Sequence, residues 1–141
     1  MIKNLIHIGK FSTKTKLKFP ITVTNNAWKK INDILKTNND VAMIFSADGG
    51  GCNGFNYNLK PMKEKEFKVV QSESEKIKHS ILKNGESKIV IDPLSEMLLL
   101  GTTIDYIRED YQKGIYESKF VFVPDKKVAS TCGCGISFNL R

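Results

Sequence analysis

Residues 41–60 read VAMIFSADGGGCNGFNYNLK, and this stretch decides the fold. Val41 to Phe45 is short, apolar and partly β-branched, the composition of a buried strand. Phe55, Tyr57 and Leu59 then alternate with Asn56, Asn58 and Lys60, the period of two that arises when one face of a sheet is buried. Between them the loop Asp48 to Gly54 holds four glycines and Cys52. The stretch predicts a hairpin whose loop presents a thiol among flexible backbone.

Outward toward the N-terminus, Thr24 can cap a helix whose apolar residues Ala27, Trp28, Ile31, Ile34 and Leu35 recur at three- and four-residue spacing. The turn Asn38-Asn39-Asp40 ends it. Toward the C-terminus, Lys88 to Ile91 reads as a strand, Ser95 to Leu100 as a short helix stopped by Gly101, Thr102 to Ile107 as a strand and Lys119 to Val123 as another. In the least defined stretch, 61–88, Phe67-Lys68-Val69-Val70 reads as a strand. Ser74 to Lys83 has helical spacing at Ile77, Ile81 and Leu82. Many short strands with few short helices, and no regular strand–helix alternation, predict an α+β, mainly β fold.

The 141 residues fit one domain, with 40% hydrophobic residues and eight Phe to build a core. The folded domain is expected over 21–141, preceded by a basic segment, 1–20. No apolar run approaches the roughly 20 residues needed to cross a bilayer. Five lysines, Lys3, Lys10, Lys14, Lys16 and Lys18, and no acid fall within residues 1–20, so +5 of the net +7 lies there and only +2 is left for the rest. A nucleic-acid face would need that excess on the folded body, so no nucleic-acid partner is expected. Basic, hydroxylated and acid-free, residues 1–20 resemble an organellar transit peptide, the plain alternative being a solvated basic tail.

Three cysteines cannot all pair within one chain, and Cys132 and Cys134 stand too close for an unstrained disulfide. Free thiols point to a reducing compartment: the mitochondrial matrix if residues 1–20 are a transit peptide, otherwise the cytoplasm. The segment Ser130-Thr131-Cys132-Gly133-Cys134-Gly135 puts two thiols in one loop, where they can chelate a metal that strips their protons. Amides of the glycine loop around Cys52 can donate to cluster sulfurs. A phosphate cradle is a poor reading of that loop, since no Gly-Lys-Ser/Thr follows. His7 lies in the basic segment and His79 in a polar stretch, and neither makes a convincing ligand. No hydrolytic triad or acid/base pair is recognisable, so no enzymatic activity is expected.

A closed iron–sulfur site takes four protein ligands, and this chain offers three cysteines. The shortage favours a site completed by a second subunit or another donor, which exchanges its contents more readily than a closed cage. A carrier is therefore expected over an electron-transfer protein. The rivals are a site for a single Fe or Zn ion, and an adaptor that needs no metal.

With those residues in view, the chain resembles the A-type iron–sulfur carriers, the HesB-like family of cluster assembly proteins. The resemblance rests on Gly50-Gly51-Cys52-Asn53-Gly54-Phe55, on Cys132-Gly133-Cys134-Gly135-Ile136-Ser137-Phe138, on Tyr57, and on Gly101-Thr102-Thr103-Ile104-Asp105-Tyr106. It covers about residues 21–141. It implies two mixed β-sheets with flanking helices and a 2Fe-2S or 4Fe-4S cluster held by Cys52, Cys132 and Cys134 between subunits of a dimer or tetramer, or with a related carrier. It further implies receipt of clusters from a donor scaffold and delivery to acceptor apoproteins. The sequence departs from the family where Phe122 to Lys127 lacks the usual Asn-Pro-Asn, and in longer segments at 111–119 and 61–88.

Overall fold

The computed structural model describes residues 21–50, 54–74, 76–126, 129–131 and 136–140. Among the described residues nine strands form a three-stranded and a six-stranded sheet, both with parallel and antiparallel pairs. In the small sheet, β1 (Thr22–Val23) lies parallel to β6 (Thr103–Ile107), which pairs antiparallel with β7 (Lys119–Val123). The large sheet contains β2 (Ala42–Gly49), β3 (Phe55–Met62), β4 (Ser80–Asn84), β5 (Ser87–Ile91), β8 (Ala129–Thr131) and β9 (Ser137–Leu140), in the order β4-β5-β2-β3-β9-β8. The expected mainly β architecture with short helices is what forms.

Helix α1 (Asn25–Asn38) buries Ala27, Ile31 and Leu35, the stripe the spacing predicts. The Thr24 hydroxyl accepts the Ala27 N–H at 3.2 Å and donates to Asp105 Oδ1 at 2.5 Å, and the same oxygen accepts the Tyr106 N–H at 2.8 Å. Asp105 of the Ile-Asp-Tyr motif thus ties β6 to the start of α1. Asn39, at φ 55°, ends the helix in the left-handed conformation that Asn tolerates.

The core joins the two sheets through aromatic rings. Tyr57 of β3 stacks on Phe138 of β9 at 4.3 Å between centroids and on Phe122 of β7 at 5.0 Å, and Phe45 of β2 stacks on Phe122 at 5.5 Å. All four rings are at least 95% buried. The alternation in β3 holds at Tyr57, which turns into this core.

Two expectations in the middle of the chain are corrected. Phe67 to Val70 is not a strand but lies in helix α2 (Glu64–Glu73). The Glu66 carboxylate accepts the Lys63 N–H at 2.9 Å, starting the helix, and Phe67 and Val70, one turn apart, are its inward residues. Lys68 Nζ lies 2.9 Å from Glu64 and holds that exposed carboxyl below the usual carboxylate range. The helix expected over Ser74 to Lys83 is instead a turn and β4, because Asn84 and Ser87 pair across the two-residue turn Gly85-Glu86. Gly85, at φ 60°, supplies the positive dihedral that such a hairpin takes at its first central position.

Between α3 (Glu96–Leu99) and β6, Gly101 stops the helix as expected, at φ 80°. A Cβ there would lie 2.6 Å from Asp125 Cβ, so glycine is also needed for space. Asp125 in turn accepts the Ala129 N–H at 3.0 Å, which sets the start of β8. Gly101→Ala is expected to cost about 2–4 kcal/mol, from left-handed strain plus overpacking, measured by urea unfolding.

Candidate functional site

The three candidate ligands, Cys52, Cys132 and Cys134, lie outside the described residues, as do His7 and the basic segment. What the structure gives is where their loops attach. The Gly50 N–H donates to the Gly54 carbonyl at 3.1 Å, closing a neck at which residues 51–53 are inserted between β2 and β3. Both glycines take positive φ, 147° and 135°. Below the neck, the Asn58 amide donates to the Asp48 carboxylate at 2.8 Å.

The second loop, residues 132–135, sits between β8 and β9. Phe55 of β3 is in register with Phe138 of β9, and Phe138 with Thr131 of β8. The ladder continues beyond β9, with the Tyr57 N–H donating to the Ile136 carbonyl at 2.8 Å. One row across three strands, about 10 Å wide at the usual strand spacing, therefore carries flanks of both cysteine loops. Phe55 stacks on Phe138 along that row at 5.7 Å.

Strand direction adds a constraint. Both β3 and β8 run antiparallel to β9, so they run the same way. The chain enters β3 from the Cys52 loop and leaves β8 into the Cys132/Cys134 loop, so the two loops attach at opposite ends of the shared row. Cys52 is three residues from Phe55, Cys132 one from Thr131 and Cys134 two from Ile136. At roughly 3.4 Å of reach per residue, the strands alone do not bring the three thiols to one point. Convergence requires the loops to fold back over the row, or donors from a second chain.

Among the described residues no group of three or more His, Cys, Asp and Glu converges as a metal site. His79 is half-buried, its Nδ1 3.1 Å from the Ile77 carbonyl. No helix among the described residues is long and apolar enough to cross a membrane.

Sequence reasoning did not place β8 and β9, the strands on either side of residues 132–135. The alternation of Ile136, Phe138 and Leu140 with Ser137 and Asn139 was the available signal for β9. It also gave no role to the hydroxyls of Tyr57 and Thr102, which are buried under the row and have no hydrogen-bond partner of normal geometry among the described residues. Burial pushes the Tyr57 phenol above its usual range, the nearby Thr102 hydroxyl pulling the other way. A phenol kept neutral by folding contributes stability that is fully present below about pH 10 and is lost as pH rises toward the higher folded value. Tyr57→Phe with Thr102→Val is expected to leave neutral-pH stability within about 1 kcal/mol of the parent or above it. The alkaline loss due to Tyr57 should disappear, as measured by urea unfolding at pH 7 and above pH 10.

Two mixed sheets, with a glycine-necked loop and a C-terminal hairpin loop meeting one strand row, define a small α+β fold shared with IscA and SufA. A crystal structure of IscA with the [2Fe-2S] cluster superposes with a TM-score of 0.61 at 20% identity, covering 86% of this chain and 98% of that one. Escherichia coli SufA, a protein involved in biosynthesis of iron–sulfur clusters, gives 0.61 at 23% identity, covering 85% and 92%. The family model described as iron-sulphur cluster biosynthesis matches residues 19–136, and the chain belongs to that family. It is 36% identical over 129 residues to the iron–sulfur cluster insertion protein ErpA of Buchnera aphidicola, covering 88% of this chain and 99% of that protein. To the ErpA of Marinobacter nauticus it is 32% identical over 123 residues, covering 86% and 97%.

Proposed function

We propose that this protein carries an iron–sulfur cluster, bound by the thiolates of Cys52, Cys132 and Cys134 at an interface between subunits, and hands it to acceptor apoproteins. The observation that carries this reading is the shared row Phe55–Phe138–Thr131, which holds the flanks of both loops on one patch of sheet. Three thiolates suit iron by donor chemistry but fall one short of a closed cage, which favours exchange. Loops attached at opposite ends of the row favour completion by a second copy of the chain or a related carrier. The insertion role of the ErpA relatives supports delivery to acceptors rather than catalysis. The cluster in the IscA structure supports a two-iron cargo over a four-iron one. The relatives are bacterial, which favours a cytoplasmic over a mitochondrial setting.

Native mass spectrometry after anaerobic reconstitution with iron and sulfide tests the proposal. The expected species contains two chains with iron and acid-labile sulfide in equal number. A protein that takes up neither, or takes up iron or zinc without sulfide, would exclude the cluster reading, the latter result favouring a single-ion site.

A further inference from the structure

The turn between β5 and α3 exposes two large apolar side chains, Leu94 at 93% and Met97 at 75%. It is firmly held. The Asp92 N–H donates to the Phe45 carbonyl at 3.0 Å, and the Asp92 carboxylate accepts the Ser95 N–H at 3.0 Å. The Ser95 hydroxyl sits between that carboxylate, at 2.7 Å, and the Ala47 carbonyl of β2, at 3.1 Å. Ala47 lies three residues before Gly50 and the neck of the Cys52 loop. A rigid apolar knob thus stands beside the end of β2.

The turn's own stretch of chain is acidic. Residues 89–107 contain Asp92, Glu96 and Asp105 and no Lys or Arg. Glu96 is bonded to the Ser80 hydroxyl, and Asp105 is engaged with Thr24, which leaves Asp92 and Glu96 as the negative charges on the turn itself. Residues 1–20 are the complement: five lysines, no acid, and apolar Ile2, Leu5, Ile6, Ile8 and Phe11.

The place where that segment joins the fold is close by. The Thr22 N–H donates to the Thr102 carbonyl at 3.0 Å, and Ile21 shares a buried cluster with Leu99 of α3. Met97 is five residues from Thr102, so it lies within about 18 Å of the anchor, while twenty residues can span over three times that distance.

We propose that residues 1–20 of this chain dock on the Leu94/Met97 turn, their apolar side chains covering the knob and their lysines facing Asp92 and Glu96. Two side chains offer on the order of 200 Å² of apolar contact, far below the roughly 800 Å² per partner of a stable dimer. A free second copy is therefore a poor occupant. A tethered segment is present at an effective concentration in the millimolar range, enough for so small a patch. The docking itself does not depend on the cluster reading.

Photo-crosslinking from position 97 of the full chain tests this, with Met97→p-benzoylphenylalanine at a site exposed enough not to disturb folding. The expected products are intramolecular links to residues 1–20, in a yield independent of protein concentration. That yield should fall about threefold or more when the five lysines are replaced by glutamate, the scale set by a few exposed charge contacts. Links only to a second copy, links only elsewhere on the chain, or no links at all would overturn the proposal. The Met97 methyl resonance of the unsubstituted protein gives an independent reading: it is expected to move on the same five replacements, and an unmoved signal would also count against docking.

Discussion

Single replacement of Cys52, Cys132 or Cys134 by serine is expected to lower retention of a reconstituted cluster by about 100-fold each, leaving the fold intact. Structural metal sites with four ligands contribute roughly 10–16 kcal/mol of binding, or about 3 kcal/mol per ligand, and each 1.4 kcal/mol is a factor of ten. Serine keeps the size of the side chain but stays protonated at neutral pH, so it does not replace the thiolate. The strand row that holds both loops is formed by Phe55, Phe138 and Thr131, none of which is altered. Far-ultraviolet circular dichroism and the unfolding midpoint of the apoprotein should therefore match the parent, while iron and sulfide measured after desalting fall in all three variants. Equal retention by any one variant would remove that residue from the ligand set. Full retention by all three would leave the family fold without the proposed site.

The parts of the fold that the sequence made visible are those whose periodicity is long or whose caps are local. Helix α1 shows an apolar stripe from Ala27 to Leu35, a capping Thr24 and a terminating Asn39 within sixteen residues, so each signal supports the others. The hairpin of β2 and β3 is marked by alternation at Phe55, Tyr57 and Leu59 and by the glycine loop. Phe67 to Val70 misled because four residues hold one apolar pair at a three-residue spacing, and so short a window does not separate a helix from a strand. What settled it was the Glu66 contact with the Lys63 backbone, a polar signal rather than an apolar one. The proposed site is legible as chemistry, in three glycine-flanked thiols, but not as geometry. The row that carries the loops forms through pairing of β9 with β3, a contact across more than eighty residues of sequence. Asp105 shows the same limit: its partner Thr24 is 81 positions away, so the motif gives its identity and only the fold gives its work.

Phe138→Ala is the substitution expected to cost most in stability, about 3–5 kcal/mol, because it removes a ring that is 1% exposed and stacked on both Tyr57 and Phe55. For a chain of this length, that corresponds to a fall in unfolding midpoint of roughly 10–15 °C. The position matters beyond its volume. Phe138 is the middle residue of the row, paired with Phe55 on one side and Thr131 on the other, so the cavity opens beneath the attachment points of both cysteine loops. Its ring also stacks on Tyr57, which stacks on Phe122 of the smaller sheet, so the same ring helps hold the two sheets together. Phe138→Leu, which keeps most of the volume, is expected to cost less than about 1.5 kcal/mol. The pair of variants separates two effects. If the ring acts by filling space, leucine restores both the unfolding midpoint and cluster retention. If the aromatic stack itself sets the row, leucine restores the midpoint while retention stays low. We expect the first result, since the neighbouring rings form an apolar cluster that a branched aliphatic side chain can repack. Thermal unfolding of the apoproteins, followed by iron and sulfide analysis of the reconstituted forms, measures both quantities on the same samples.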